Sequence, residues 1–136
     1  MKVRKIIIGT ITYTIITFAL AVSWHVILFA DRYQAFGYFN REPDFAPGFL
    51  TILIQGVILS VLFPMIGFTG TSKLRGLKFA LLIGTFFWTS HVLAFVAKQQ
   101  VQNVYQFIGM ETAYLALQFG IFGVLIGIIY RNNISD

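Results

Sequence analysis

The sequence predicts an all-α protein, a four-helix transmembrane bundle in a single integral membrane domain over residues 1–136. The chain is 57% hydrophobic and only 11% charged, whereas a soluble domain is nearer a quarter charged. Four charge-free stretches each reach the ~20 residues that cross a ~30 Å hydrocarbon layer. Because lipid cannot satisfy backbone N–H and C=O groups, these stretches must be helices.

The four stretches place the helices at about residues 5–30, 47–69, 77–98 and 107–130. The start of the first helix resembles a secretory signal, with basic residues and an Ala19-Leu20-Ala21 segment like a cleavage site. Its apolar run continues to Ala30, which is long for a signal. We therefore expect an uncleaved first helix.

Prolines and glycines define the remaining elements. Pro47 suits the first turn of the second helix, and Pro64 removes a backbone hydrogen bond near its other end. The fourth helix carries a Gly-x-x-x-Gly motif at Gly123 and Gly127, which permits close helix packing. A similar small-residue motif begins at Gly56 in the second helix. These motifs predict tight packing inside the bundle and are compatible with a homodimer.

Lys and Arg placement predicts the orientation, because cytoplasmic loops carry an excess of both. One side of the predicted bundle has seven of them: Lys2, Arg4, Lys5, Lys73, Arg75, Lys78 and Arg131. The other side has three: Arg32, Arg41 and Lys98. We expect a multi-pass protein of the bacterial inner membrane with both termini cytoplasmic. The net charge of +5 is then an orientation signal, and no nucleic-acid partner is expected.

Residues 31–46 form the longest predicted connection and are rich in aromatic side chains. Aromatic residues among mixed charges suit the headgroup layer of a membrane. The connection is therefore interpreted as an interfacial belt or, alternatively, as a lid over an outward-facing pocket. The sequence does not decide between the two.

Polar residues inside the membrane are few, and one strongly polar side chain falls on each helix: His25, Gln55, His91 and Gln118. Counting ~1.5 Å per residue from the outer limits of the spans, taken as Asp31, Gly48, Lys98 and Glu111, places all four about 10 Å below the outer surface. On the first helix, His25 continues a stripe of small and polar residues that should face protein, formed by Thr10, Thr14, Thr17 and Ala21. The sequence thus predicts one polar layer in the outer leaflet, near Trp24, Trp88 and Tyr114.

The His and Gln positions also suggest an internal repeat. His25-Val26-x-x-Phe29 is echoed by His91-Val92-x-x-Phe95, and the segments that begin at Gln55 and Gln118 resemble each other. The chain would then consist of two tandem two-helix hairpins around an axis along the membrane normal.

Three interpretations of the polar layer remain open. It is a hydrogen-bonded clasp between helices, a pocket for a small or lipid-like ligand, or a haem b site. Two imidazoles at equal depth, His25 and His91, suit axial ligation of haem. A zinc site is less favoured, because it needs a third ligand and only Glu111 is available.

Glu111 has two possible roles, which depend on where the fourth helix begins. A start near residue 107 makes it a first-turn acid that the helix dipole stabilises, and this is the favoured interpretation. An earlier start would embed it in the membrane, where a carboxylate is a functional candidate by default.

The sequence contains no nucleophile–base pair, glycine-rich phosphate loop or His-Glu-x-x-His motif. We therefore expect a non-catalytic protein that binds a small or lipid-like ligand, or a partner membrane subunit, at the polar layer. No cofactor is expected under this prediction. The alternatives are a bis-His haem b protein in electron transfer and a small transporter that acts as a homo-oligomer.

Two family resemblances accompany this prediction. Trp24, Arg75-Gly76-Leu77 and the segment from Gly109 to Leu115 resemble a family of small bacterial four-helix membrane proteins of unknown function. That resemblance implies the architecture and no activity.

A weaker likeness is to the emopamil-binding-like family, which includes sterol isomerases and a ligand receptor. Its His and Asp at the end of the first helix are similar to His25 and Asp31. Its second-helix acid falls at Gln55, which cannot transfer protons as a carboxylate does. The likeness therefore implies a lipid-binding pocket more than isomerase chemistry.

Overall fold

The computed structural model describes residues 2–131, which form an all-α bundle without strands. Its five helices are α1 (Lys2–Leu28), α2 (Ala30–Phe36), α3 (Phe45–Ile66), α4 (Ser72–Lys98) and α5 (Val104–Ile129). All except α2 are long and apolar enough to cross a membrane, and the predicted fold class is therefore confirmed. The largest difference in limits is the start of α4, expected near residue 77. Thr71 caps that helix by accepting a hydrogen bond from the Leu74 N–H, so the basic residues belong to its first turns.

Large apolar side chains cover the outside of the long helices. Ile15 is 63% exposed and Leu81 is 74% exposed, and many Ile, Leu and Phe residues resemble them. Exposed apolar surface on this scale is unfavourable in water but is what contact with lipid tails requires. The four apolar helices and this surface mark the chain as a multi-pass membrane protein.

The long helices pair in the order of two consecutive hairpins. α1 packs along α3, α4 packs along α5, and contacts between α1 and α5 join the pairs. Lys5 Nζ donates a hydrogen bond to the Arg131 carbonyl (3.2 Å), so the start of α1 and the end of α5 meet. We call this the terminal end of the bundle. The opposite end, which carries α2 and residues 37–44, is the loop end.

Small residues bring the paired helices into backbone contact, as the glycine motifs predict. A Cβ atom on Gly76 of α4 would overlap the carbonyl of Gly123 on α5. Between α1 and α3, a Cβ on Gly56 would lie 3.1 Å from the Thr10 carbonyl oxygen. The motifs therefore act inside the chain, where they set the spacing of each hairpin.

The helices α1 and α4 each contain a short π-helical segment, Val22–Leu28 in α1 and Thr89–Leu93 in α4. Such a segment inserts an extra residue and re-aims the side chains beyond it. His25 and His91 both lie inside these segments. The sequence does not predict these segments, since no composition signal distinguishes a π turn from an α turn.

The connection after α1 is partly helical rather than wholly irregular. α2 ends at Gly37, whose φ of +73° favours glycine. Tyr33 and Phe36 on α2 are buried, and Tyr38 and Phe39 pack against the same core. An interfacial belt is therefore wrong for these two α2 side chains, which close the loop end of the bundle. Phe45, by contrast, remains 47% exposed, as a belt residue would.

Candidate functional site

Glu111 lies at the centre of the loop end and is fully buried. α5 begins at Val104, so Glu111 is about two turns inside the helix. The favoured sequence interpretation, a first-turn acid, is therefore wrong. Asn103, with a φ of +56°, starts the helix earlier than residue 107. The backbone N–H groups of the first turn are too far away to hold this carboxylate, which needs side-chain partners.

Three side chains from three other helices supply those partners. His25 Nε2 lies 2.8 Å from Glu111 Oε1, and His91 Nε2 lies 2.7 Å from Oε2. The Tyr33 hydroxyl donates a short hydrogen bond to Oε1. We call these four residues the His–Glu cluster. It joins α1, α2, α4 and α5 through one carboxylate.

Neighbouring groups fix the orientation of the cluster. His25 Nδ1 lies 3.1 Å from the Ala21 carbonyl oxygen, one turn earlier on α1. The Trp24 indole N–H donates a 2.8 Å hydrogen bond to the Tyr33 hydroxyl. The Tyr114 ring packs edge-on against the His25 ring, with centroids 4.5 Å apart. Trp24 and Tyr114, both named from sequence as candidate ligand-binding residues, therefore contact the uncharged side of the cluster, and their role in binding stays a prediction.

The hydrogen-bond pattern constrains where the protons lie. Burial and the adjacent Glu111 carboxylate raise the pKa of Tyr33 above its usual value, so its hydroxyl remains a donor. The two ring nitrogens of His25 face a carboxylate and a backbone carbonyl, which are both acceptors.

A second polar group lies deeper in the bundle. The Tyr13 hydroxyl donates to Gln55 Oε1 (3.0 Å) and accepts from Gln118 Nε2 (3.1 Å). We call this the Gln–Tyr chain. The single polar layer predicted from sequence is therefore wrong, because the imidazoles and the carboxamides occupy two levels. Since Gln118 is seven residues beyond Glu111, it lies about 10 Å further along α5.

A cavity of about 350 Å³ connects the two levels. Its walls come from α1, α3, α4 and α5, and residues 38–45 contribute at the loop end. Most lining groups are apolar, such as Val22 and Ile52. All four residues of the predicted layer nevertheless line it: His25, Gln55, His91 and Gln118. The four side chains predicted to share one level are brought together around one space instead.

Trp88 lies outside this arrangement. Its indole N–H donates to the Thr112 hydroxyl (2.9 Å) on the side of the α4–α5 pair away from the cavity. Of the eight predicted ligand-binding residues, Trp88 alone touches neither polar group nor the cavity.

Sequence reasoning missed Tyr13 and Tyr33. Tyr13 had a usable signal, because it lies three residues after Thr10 and four before Thr17, on the stripe predicted to face protein. The stripe itself is confirmed, since both threonines are buried. Tyr33 had no comparable signal among the many aromatic residues of its connection.

The cluster contains one candidate set of metal ligands. One nitrogen each of His25 and His91 and one carboxylate oxygen of Glu111 all lie within 4.8 Å of one another. The carboxylate stands between the two imidazoles and accepts from both. This arrangement favours imidazole–carboxylate pairing over axial haem ligation, and haem b stays an untested prediction.

Comparison of the chain with known protein families, with curated proteins and with solved structures finds no match.

Proposed function

We propose that this protein binds a small amphipathic ligand, such as a lipid-like alcohol or acid, in the cavity between its four long helices. The apolar part of the ligand would lie against Val22 and Ile52. Its polar group would meet the His–Glu cluster or the Gln–Tyr chain. The protein is then a membrane binding protein and not an enzyme.

The cavity carries this proposal. Binding sites for small molecules are typically apolar spaces with a few convergent polar groups. At about 350 Å³, this cavity falls within the usual range of such sites, roughly 300–1,000 Å³. A hydrogen-bond network that only holds the helices together requires contact between its side chains, and it requires no cavity between them.

Two groups that line the cavity have hydrogen-bonding capacity to spare. The His91 side chain is 37% exposed although its Nε2 is engaged by Glu111. Thr17 is only 4% exposed, and its hydroxyl has no hydrogen-bond partner among the described residues. A buried hydroxyl without a partner costs free energy, which a polar ligand atom would recover.

Aromatic side chains at the loop end close the site. Tyr38 stacks on the His25 ring with centroids 5.5 Å apart, and Phe39 packs beside it. Both residues line the cavity and belong to the connection that the sequence marked as a possible lid. A ligand would enter past these aromatic rings or between the helix ends beneath them.

Photolabelling of the cavity, with and without a larger side chain that narrows it, tests the proposal. The probe is a dodecanol derivative with a photoreactive diazirine, added to the detergent-solubilised protein, with labelled residues identified by mass spectrometry. We expect labels on Val22, Val26 and Ile52. The Ala21→Leu variant narrows the cavity and should reduce these labels about tenfold, a loss of about 1.4 kcal/mol in binding free energy.

Ala97→Leu is the matched control, because the same change is made at an exposed position that does not line the cavity. It should leave labelling unchanged. Labels confined to lipid-facing residues such as Ile15, or equal labelling of the two variants, would contradict the proposal.

We also propose that the protein lies in the bacterial inner membrane with its terminal end in the cytoplasm. The excess of Lys and Arg at that end supports this orientation. The chain has no cysteine, so single cysteines report it cleanly. In intact cells, a membrane-impermeant maleimide should label an Asp44→Cys variant, whereas Lys73→Cys should react only after permeabilisation. The opposite pattern would reverse the orientation.

A further inference from the structure

We infer that His25, His91 and Glu111 bind one divalent transition metal ion, with Zn²⁺ or Fe²⁺ as the matching class. This inference does not depend on the organic ligand proposed above. Three ligand-type side chains from α1, α4 and α5 meet at one spot at the loop end of the bundle.

The donor set fits this class of metal. Two imidazoles and one carboxylate are the protein ligands of many catalytic zinc sites, which keep a fourth position for water or substrate. The same set with open positions also binds non-haem Fe²⁺. Mg²⁺ and Ca²⁺ prefer oxygen ligands and suit two imidazoles poorly.

The distances are close to those a metal needs. Bonds of about 2.0–2.2 Å to a tetrahedral zinc ion place neighbouring donor atoms roughly 3.4 Å apart. Each imidazole nitrogen now lies 2.7 or 2.8 Å from a Glu111 oxygen. All three donor atoms lie within 4.8 Å of one another, so the short nitrogen–oxygen pairs would open by about 0.6 Å and the longest separation would close by up to about 1.4 Å around the ion. The ion would take the place of the two imidazole–carboxylate hydrogen bonds.

The surroundings supply the outer contacts typical of metal ligands. A metal-bound histidine usually donates its other ring N–H to a carboxylate or backbone carbonyl, as His25 Nδ1 does with Ala21. Ligating carboxylates are in turn hydrogen-bonded, as Glu111 is by Tyr33. The Trp24 indole then fixes the tyrosine. A simple clasp between helices has no need of this outer set.

Access and an open position come from the cavity. His25 and His91 both line it, so an ion held between them would face the space on one side. A ligand with an oxygen atom could then complete the coordination. The buried side of the ion would be closed by Glu111, which is fully shielded.

The test is zinc binding by the full chain in detergent, after removal of metal with a chelator. We expect one Zn²⁺ per chain by elemental analysis, and a titratable visible spectrum when Co²⁺ replaces it. His91→Gln should weaken Zn²⁺ binding at least 100-fold. Because a glutamine can still hydrogen-bond to Glu111, this variant should fold even where alanine would not. Tyr33→Phe, which removes an outer contact, should weaken binding by about tenfold.

Glu42→Gln is the control, since it removes an exposed carboxylate of the loop end that belongs to neither the cluster nor the cavity; its Zn²⁺ affinity should equal that of the wild type. The inference is overturned if the folded wild type binds no more Zn²⁺ than His91→Gln does. It is also overturned by a haem absorption band that disappears in the histidine variants.

Lost Zn²⁺ binding with intact diazirine labelling would refute only the metal site. Intact Zn²⁺ binding without cavity labelling would refute only the proposed function.

Discussion

Replacing Glu111 with alanine is expected to lower the free energy of unfolding by about 3–5 kcal/mol, the usual cost of removing one partner from a buried ion pair. The carboxylate accepts from His25, Tyr33 and His91, which come from three different helices. Without it, the buried His25 and Tyr33 and the part-buried His91 lose their common acceptor. Because the cluster joins the two hairpins at the loop end, its loss weakens the contact between them as well.

Unfolding in mixed micelles with increasing SDS measures this effect, with far-ultraviolet circular dichroism as the readout. Glu111→Gln should lose less than Glu111→Ala, because the carboxamide oxygen can still accept one hydrogen bond. The control is Glu42→Gln on the exposed connection, which should change stability by no more than about 0.5 kcal/mol. A Glu111→Ala protein within about 1 kcal/mol of the wild type would contradict the central role given to this carboxylate.

The sequence was sufficient to predict the membrane spans and many of the polar residues of the candidate site. Charge-free stretches of about 20 residues have few physical solutions, so the fold class can be deduced directly. The spacing of Thr10, Thr14 and Thr17 fixes one face of α1, and that face is buried. His25 and His91 were correctly placed at one level, because both were counted back from helix ends that the charges mark clearly.

The pairing of these histidines with Glu111 could not be predicted from the sequence. It depends on a helix start that moved from residue 107 to Val104, a shift of about one turn. The depth of Gln118 was counted from Glu111, which lies seven residues inside α5, so Gln118 lies below the imidazoles and contacts Tyr13. Because helix ends inferred from sequence are uncertain by about a turn or more, depth counted from an end does not decide which polar groups touch.

The π-helical segments explain the remaining differences between the contacts expected from the sequence and those in the structure. Each inserts one residue next to a histidine and rotates the later side chains of its helix relative to an ideal α-helix. Contacts calculated from a spacing of 3.6 residues therefore fail beyond Val22 in α1. Since π segments are frequent at functional sites, their presence at both histidines supports a role for the cluster beyond packing.

The other large loss of stability is expected at the contact between α4 and α5. Gly76→Ala adds a methyl group that would overlap the Gly123 carbonyl, and a backbone atom cannot move aside as a side chain can. The two helices must separate, and the tight packing that extends to Gly127 is lost with them. We expect a destabilisation of about 3 kcal/mol, at the upper end of the usual range for overpacking. The SDS titration described for Glu111 measures it.

Gly120→Ala on α5 separates this effect from the general behaviour of glycine in helices. A Cβ there has no neighbour within 4 Å, so alanine should be neutral or stabilise by up to about 1 kcal/mol through its higher helix propensity. Both variants make the same chemical change within one helix pair, and only the distance to the facing backbone differs. Equal stability of the two would mean that α4 and α5 do not approach each other through Gly76 and Gly123. The His–Glu cluster would then lose its frame as well, because that approach sets the separation at which His91 on α4 reaches Glu111 on α5.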